Sequence, residues 1–562
     1  MKRTGSQIVM EVLLEHNVDT VFGYPGGAAL NVYDALYDYS DKIHHYITAH
    51  EQGAAHAADG YARSTGKTGV VFSTSGPGAT NLVTGIATAY MDSIPMVAIT
   101  CNVSDNMIGR DSFQEISITG VTLPITKHNY FVNKIENLAD ALRNAFRIAN
   151  EGRKGPVLVD ITKDVTAATT DYTPHKPLPL EPHPKFTEAQ IDQIAKIINE
   201  CKRPVIYFGG GIEASNAREE LYELIQKADI PATYTMMAAG VIDCDDPKNL
   251  GLIGMHGTIA ANKAIDQADL VIALGTRFSD RVALNPKRFA PKAAIIQIDI
   301  DASEINKNVL INYSIVGDTK DVLQALLPKI EERKHTDWVE QVTAYQKTVR
   351  VPMVGAKLRP KELIEATCDL TDKDTIYVTD VGQHQMWAAQ YVRHHKTHHF
   401  LTSGGLGTMG FGYGAAIGAQ IGNPDKRVIH FTGDGSFHMN MNEGCTAVSY
   451  NLPIITIIMD NKVLGMVYQW QTVFYNKHYS QTVLNRKTDF VKVAEGFGAT
   501  GFACNTLDEF KEAFQKAIRS LETGRYGLGF AKDFHEKTLD ELMKMLYTVT
   551  SERQFILYEA IR

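Results

Sequence analysis

The sequence predicts an α/β protein of three domains, each a mainly parallel sheet flanked by helices, and three observations carry that prediction. Short β-branched runs alternate with helical patterns along most of the chain. The runs are apolar throughout rather than alternating, as strands covered on both faces of a parallel sheet must be. The length of 562 residues, set against roughly 150 residues per domain, asks for about three or four domains or three large ones.

The expected strands, in order, are Gly69–Ser73, Met96–Thr100, Pro204–Phe208, Leu270–Leu274, Ile295–Asp299, Val428–Phe431 and Ile454–Met459. Two shifts in composition mark connections. Residues 171–186 hold five prolines, and the stretch from Lys334 to Pro360 is polar. The domains are therefore expected near 1–170, 185–345 and 360–530, with a tail at 531–562. The first and third share a rhythm of strand, glycine-rich turn and helix, and the middle one opens on Gly209-Gly210-Gly211. Such folds host many chemistries and name none.

Composition narrows the function. Lys and Arg total 56 against 64 Asp and Glu, a net charge of −8, and no long basic run stands out, so nucleic acid is not an expected partner. Apolar residues at 44% and charged residues at 21% are ordinary for a globular protein, which excludes disorder and fibrous repeats. The six cysteines, Cys101, Cys201, Cys244, Cys368, Cys445 and Cys504, lack the short paired spacings of a zinc site or disulfide framework. They read as reduced thiols of a cytoplasmic protein. Glu11, Glu15 and His16 interrupt the apolar pattern that a signal peptide would need. Residues 404–422 are uncharged and long enough to test as a membrane span, but eight are glycine. They read as backbone packed tightly inside a domain, and no membrane association is expected.

The most informative motif is Gly433-Asp434-Gly435-Ser436-Phe437, with Asp460-Asn461 ending the next strand. The 25 residues between Gly435 and Asn461 hold one helix and one strand, so Asp434 and Asn461 can meet at the carboxyl edges of neighbouring parallel strands, where open α/β sheets bind ligands. A carboxylate, an amide oxygen and a backbone carbonyl suit a hard cation such as Mg²⁺ and leave positions for phosphate oxygens and water. The glycines admit a diphosphate close to backbone. A lone Gly-Asp-Gly is more often an ordinary strand-to-helix turn; the paired Asn461 favours the cation site.

With that segment the chain resembles the thiamine-diphosphate enzymes, in which it holds the cofactor diphosphate through a divalent metal. The resemblance implies Asp434, Asn461 and the carbonyl of Val463 as Mg²⁺ ligands, with Gly433, Gly435 and Ser436 beside the diphosphate. His50-Glu51-Gln52-Gly53 in the first domain resembles the segment whose glutamate touches the aminopyrimidine. A carboxylate there relays a proton to the ring nitrogen and favours the imino tautomer, whose nitrogen takes the thiazolium C2 proton.

From Gly5 to about Gly524 the chain is similar, more narrowly, to the large-subunit family of FAD-containing biosynthetic acetohydroxyacid (acetolactate) synthases. Phe22-Gly-Tyr-Pro-Gly-Gly27-Ala, Ser73-Thr-Ser-Gly-Pro-Gly-Ala-Thr-Asn81, Phe113-Gln114-Glu115 and Pro124-Ile-Thr-Lys127-His-Asn129 match its segments. These imply Gly27 beside the reacting carbon, and Gln114 and Lys127 at the entrance. Asp380-Val-Gly-Gln383-His384 resembles the diphosphate loop, with Gln383 and His384 as donors to phosphate oxygens. Residues 404–410 supply Gly407 and Met409, the soft side chain under the bend of the cofactor. Lys462 to Gln471 resembles the acceptor pocket, where Phe113, Met466, Val467 and Trp470 shape the room for the second 2-oxo acid. Telling ethyl from methyl there is worth about 1–3 kcal/mol.

For FAD the resemblance implies Arg153, Gly210, Met255, His256, Gly275, Arg277, Arg281, Asp299 and Asp318, in a domain whose Arg277-Phe-Ser-Asp-Arg281 stretch is lacking in FAD-free catabolic relatives. The flavin is a structural inheritance with no net redox role. The implied reaction decarboxylates pyruvate and joins the hydroxyethyl unit to a second pyruvate, giving 2-acetolactate, or to 2-oxobutyrate, giving 2-aceto-2-hydroxybutyrate. This serves valine and isoleucine biosynthesis, with cofactor as electron sink. A homodimer or higher homo-oligomer with active sites between subunits and a small regulatory subunit is implied as well.

Departures from the family are Thr100-Cys101-Asn102 for Thr-Gly-Gln, Asp59 for Glu, and Asn442 and Gly444 around Glu443. After Gly524-Arg525 the match ends. Residues 526–530 lead into a polar run with Leu539, Leu542, Met543 and Leu546 at helical spacing. Two alternatives stay open: another FAD-containing thiamine-diphosphate enzyme, or a catalytically silent assembly subunit. Glu51 speaks against glyoxylate carboligase, and residues 466–470 speak against pyruvate oxidase.

Overall fold

Three parallel sheets organise the chain. The computed structural model describes residues 1–347, 358–523 and 537–546. Residues 348–357 of the expected second connection, and residues 524–536 and 547–562, which hold the end of the family match and most of the tail, lie outside the described residues.

The first sheet has six strands, in the order His44–Ile47, Thr20–Gly23, Gly69–Ser73, Met96–Asn102, Pro156–Thr162 and His128–Val132. The central sheet also has six: Asn249–Leu252, Ala232–Tyr234, Pro204–Phe208, Leu270–Leu274, Ala294–Asp299 and Tyr313–Val316. The third has four: Phe400–Leu401, Ile376–Thr379, Val428–Gly433 and Ile454–Met459. Every neighbouring pair in these sheets is parallel. All seven apolar runs form strands. Buried Val, Ile, Leu and Phe side chains from both faces fill the cores, as helices on both sides of a parallel sheet require. A two-stranded antiparallel ribbon, Lys2–Thr4 with Thr169–Asp171, lies outside these sheets.

Each sheet has a point where its winding reverses. The chain leaves to opposite sides from Thr20–Gly23 and Gly69–Ser73 in the first sheet, from Pro204–Phe208 and Leu270–Leu274 in the central one, and from Ile376–Thr379 and Val428–Gly433 in the third. A crevice opens at such a reversal, outside the carboxyl ends of the strands.

By compactness the chain divides into residues 1–352 with 373–488, and residues 353–372 with 489–562. The second unit is described as helices, Pro360–Asp369, Phe490–Phe497, Leu507–Thr523 and Leu539–Leu546. In it, the first of these packs on Leu507–Thr523. The helical spacing expected over 539–546 is a helix.

The stretch from Lys334 is not only a connection. Thr336–Ala344 is a helix whose Trp338 and Val342, four residues apart on one face, are buried in the central core. The Trp338 indole N–H donates to the Pro204 carbonyl at 2.9 Å. Two apolar residues in a polar stretch suffice to dock it, a signal too sparse for periodicity to reveal.

The glycine-rich stretch is packed backbone, as expected. Its helix, Phe411–Gly422, lies on helix Glu51–Thr65. A Cβ on Gly414 would lie 2.8 Å from the Gly53 carbonyl oxygen, and one on Gly418 would overlap the Ala57 carbonyl. No helix among the described residues is long and apolar enough to cross a membrane.

Candidate active site at three strand crevices

At the first crevice the strands end in Gly23 and Ser73, and helix Glu51–Thr65 starts beside them. His50 caps that helix by accepting from the Gln52 N–H at 3.1 Å, so Glu51 sits in its first turn, where the helix dipole favours a carboxylate. Glu51 is buried. Its Oε2 accepts from the Asn81 amide at 2.9 Å, and Oε1 would lie 3.2 Å from a Cβ on Gly78. The Thr74 hydroxyl accepts from the Ala28 N–H at 3.2 Å and ties the Gly26-Gly27 turn to the next one. A Cβ on Gly27 would meet nothing within 4 Å; this backbone faces open space. Gln114, with φ of +61°, lies against Gly76. The structure thus gathers Glu51, Asn81, Gly78, Gly76 and Gln114 in a chain of contacts.

Lys127 is placed otherwise. Its ammonium donates to the carbonyls of Ile148 and Glu151 at the C-terminus of helix Leu138–Asn150, the end that attracts cations. Burial lowers its pKa to about 8. Phe113 is exposed.

At the third crevice, strands Val428–Gly433 and Ile454–Met459 pair in register, Gly433 opposite Met459. That brings Asp434 and Asp460-Asn461 to one edge. Asp434 is buried, and its pKa is raised by burial and by the nearby Asp460 charge, the condition of a carboxylate suited to a cation. Asn461 Oδ1 accepts from the Val463 N–H at 3.1 Å, turning the loop. Ser436 donates to the Val381 carbonyl at 2.9 Å and joins the two sides of the crevice.

His384 is the sharpest polar feature there. Its ring is buried and would lie 2.8 Å from a Cβ on either Gly382 or Gly433. Its Nε2 has no hydrogen-bond partner among the described residues. A buried polar atom without a partner costs about 1–3 kcal/mol, and a phosphate oxygen would supply one. Burial lowers the His384 pKa to about 4, so the ring is neutral. Gln383 donates to Gln469 at 3.1 Å, linking this loop to helix Gly465–Phe474, which carries Met466, Val467 and Trp470. A Cβ on Gly435 would lie 2.8 Å from Leu464 and 3.7 Å from Met409. Gly407, with φ of +71°, turns the loop that brings Met409 there. The helix of residues 465–474 buries none of its side chains; Trp470 stacks on Phe474, with ring centroids 5.0 Å apart.

At the central crevice Gly211 and Gly275 approach so closely that a Cβ on either would lie 2.6 Å from the other's Cα. Gly210 stands at the mouth, and Gly275 (φ +55°) and Gly254 (φ +105°) adopt turns that other residues resist. Met255 is exposed beside them, its N–H on the Arg281 carbonyl at 2.9 Å. The His256 carbonyl accepts from Gln390 at 2.5 Å. Asp299 ends its strand buried, with its pKa raised to about 6 chiefly by burial. Arg153 pairs with Glu304 at 2.8 Å and Asp301 at 3.3 Å. Arg277 donates to the Met91 carbonyl at 2.6 Å. The Arg281 side chain is exposed, and Asp318 caps helix Thr319–Leu326.

Several supporting residues escape the motifs. Asp92 accepts from Gly404 N–H at 3.0 Å and Gly405 N–H at 2.6 Å, and from Arg63 at 3.0 Å. It anchors the loop bearing Gly407 and Met409. Arg63 also pairs with Asp59 and donates to the Thr402 carbonyl at 2.9 Å. Glu443, fully buried, accepts from the Ala49 N–H at 3.2 Å, two residues before Glu51. Asp380 accepts from Thr432 at 2.7 Å and from the Gly412 N–H at 2.8 Å. The departure at Asn102 is accommodated, since its amide donates to Asp160 at 2.7 Å.

Comparison with known proteins matches three family models in chain order. Residues 3–121 match the thiamine pyrophosphate enzyme N-terminal TPP binding domain, 191–326 its central domain and 380–525 its C-terminal TPP binding domain. Residues 507–562 match the carbamoyl-phosphate synthetase large chain oligomerisation domain, which explains why the tail departs from the rest. The chain is 46% identical over 537 residues to the "Probable acetolactate synthase large subunit" of Methanocaldococcus jannaschii, covering 92% of this chain and 90% of that one. It is 44% identical over 530 residues to the acetolactate synthase of Mycobacterium bovis, 92% and 86% covered. To the acetolactate synthase isozyme 2 large subunit of Escherichia coli it is 43% identical over 519 residues, 92% and 93% covered.

Proposed function

The chain belongs to the acetolactate synthase large-subunit family of thiamine-diphosphate enzymes, and from that premise we propose how its own residues serve the reaction. The protein is a thiamine-diphosphate-dependent transferase that decarboxylates pyruvate and condenses the remaining two-carbon unit with a second pyruvate or with 2-oxobutyrate. When bound, the cofactor supplies the electron sink for loss of the carboxylate.

Glu51 holds and returns the proton at the aminopyrimidine nitrogen, and Asn81 fixes the carboxylate that does so. The single observation that carries this role is the Glu51 carboxylate buried at the first crevice with Asn81 on one oxygen. Gly27 leaves room beside the reacting carbon. Met409 supports the bend of the cofactor, and Gln114 stands at the entrance. Lys127, turned to carbonyls in this chain, is given a role only through the loop it braces.

His384, with its unpartnered Nε2, and Gln383 hold phosphate oxygens, along with the backbone of Gly433, Gly435 and Ser436. Asp434, Asn461 and the Val463 carbonyl form an oxygen donor set that fits Mg²⁺. The close glycines of the central crevice fit FAD, with Arg153, Gly210, Met255, His256, Gly275, Arg277, Arg281, Asp299 and Asp318 around it. Phe113, Met466, Val467 and Trp470 shape the acceptor pocket. In a single chain Phe113 and Val467 are exposed and Met466 and Trp470 only half-buried, which supports a site completed by a second copy, hence a homodimer or larger assembly. The oligomerisation-domain match supports assigning the tail to assembly. A small regulatory subunit, a place in valine and isoleucine biosynthesis and a cytoplasmic location complete the reading, as do the domain limits near 170, 185–345 and 360–530.

The test is product analysis with pyruvate, with and without 2-oxobutyrate, in thiamine diphosphate, Mg²⁺ and FAD. Acetolactate that gives way to acetohydroxybutyrate when 2-oxobutyrate is added supports the reading. Glu51→Gln should lower turnover by about 10²–10⁴ while still binding thiamine diphosphate. Undiminished turnover in that variant would remove Glu51 from its role.

A further inference from the structure

Away from the three crevices, four side chains of metal-ligating type converge on one point. Asp243, Cys244 and Asp245 follow one another in the loop before strand Asn249–Leu252, and His395 comes from the segment before strand Phe400–Leu401, about 150 residues later. One ligand atom from each lies within 4.8 Å of the others.

The four groups lie close enough for one ion to gather them. His395 Nδ1 is 3.0 Å from Asp243 Oδ1, 3.6 Å from Cys244 Sγ and 4.0 Å from Asp245 Oδ2, and Cys244 Sγ is 3.8 Å from Asp245 Oδ1. Around a tetrahedral Zn²⁺, with Zn–S about 2.3 Å and Zn–N or Zn–O about 2.0–2.2 Å, neighbouring ligand atoms stand roughly 3.3–3.6 Å apart. The observed values bracket that range. Cys244 Sγ also lies 3.9 Å from His395 Nε2, so the sulfur stands near both ring nitrogens, and the imidazole turns to bring Nδ1 and Sγ onto one ion.

The two segments are also held at this distance by backbone. The Cys244 N–H donates to the His394 carbonyl at 2.9 Å, and the Asp245 N–H donates to Asp243 Oδ1 at 2.9 Å. Asp245, the most exposed of the four, faces Lys373 at 3.5 Å. Cys244, His395 and Asp243 therefore form the core of the site, and Asp245 or a water completes it.

We propose that Asp243, Cys244, Asp245 and His395 form a zinc-class metal site that clips the central-sheet loop to the segment leading into the third sheet. Sulfur and imidazole together select a thiophilic divalent ion over Mg²⁺, so this site is chemically distinct from the oxygen set at Asp434. Binding releases the Cys244 thiol proton to solvent, since the thiolate is the ligand. The clip is structural, because it lies in none of the three crevices.

The experiment uses the full-length protein with thiamine diphosphate and Mg²⁺ bound, dialysed against Zn²⁺ and, separately, Co²⁺. The expected result is one zinc per chain by elemental analysis, a thiolate-to-cobalt charge-transfer band in the Co²⁺ form, and a higher thermal midpoint with zinc. Cys244→Ser should remove the band, and His395→Gln should lower zinc content, both with unchanged circular dichroism. If Cys244→Ser does not fold, Asp243→Asn and His395→Gln supply the comparison through zinc content. Zinc content equal in the wild type and the folded variants, or a cobalt spectrum without the thiolate band, overturns the proposal and leaves binding at Asp434 and Asn461 only.

Discussion

A buried histidine that is neutral and short of one partner has a defined chemical meaning. With its pKa lowered to about 4 by burial, His384 does not change charge between pH 6 and 8, so its contribution to diphosphate binding is a neutral hydrogen bond throughout that range. His384→Ala should weaken thiamine diphosphate by about 1.5–3 kcal/mol, roughly ten- to a hundredfold in Kd, the usual worth of a bond to a charged acceptor. Fluorescence titration of the apoprotein measures it, and an unchanged Kd would show that the ring does not reach the phosphates. Trp470 poses the corresponding question at the acceptor pocket. Trp470→Ala should change the ratio of acetohydroxybutyrate to acetolactate by about 10–200-fold, the range that one methylene can command in an apolar pocket. Competition between the two acceptors reads that ratio directly.

At the scale of elements, the first and third sheets are joined through helices Glu51–Thr65 and Phe411–Gly422. Their contact is backbone on backbone. Gly60 lies against Ala415, Gly414 against Gly53 and Gly418 against Ala57. Because Glu51 starts one of these helices and the Gly404–Gly410 loop leads into the other, their separation also sets the distance between proton-relay carboxylate and cofactor support. Gly418→Ala inserts a methyl group into a carbonyl and should cost about 1–3 kcal/mol or more by overpacking. A lower thermal midpoint accompanied by weaker thiamine diphosphate binding is the expected result. A lower midpoint with unchanged binding would mean that the crevice tolerates the shift.

For the whole molecule, acid sensitivity follows from its buried histidines. His45, His56, His384 and His394 are each lowered to about 4, chiefly by burial. Between pH 6.5 and 4 the unfolded chain takes up protons at these groups that the native chain refuses, so their contribution is lost as pH falls through that window. Asp160 and Asp299, raised to about 6, act in the opposite sense, since their protonated native forms gain stability on acidification. From pH 7 to pH 6 the four histidines alone lose about 2–3 kcal/mol by linkage, and the raised carboxylates, Asp59, Asp434 and Glu443 with Asp160 and Asp299, offset part of it. A thermal midpoint that falls over this interval is expected from scanning calorimetry, and one that rises would contradict it.

By itself the sequence determined the α/β class, the seven apolar strands, and the paired Gly-Asp-Gly and Asn461 segment. Strand identity depends on local apolar runs, and a cation site built across adjacent strands keeps its spacing in the chain. Only the tertiary structure decided that Lys127 turns to the carbonyls of Ile148 and Glu151 and that Trp338 docks on the central core. It alone brought Asp92 to the Gly404–Gly405 loop, and His395 to Cys244. Each of these depends on which element packs beside which, at separations of tens to hundreds of residues, and burial and helix dipoles act on the groups that packing brings together. Such information is carried by the whole core at once, so no window of the sequence shows it.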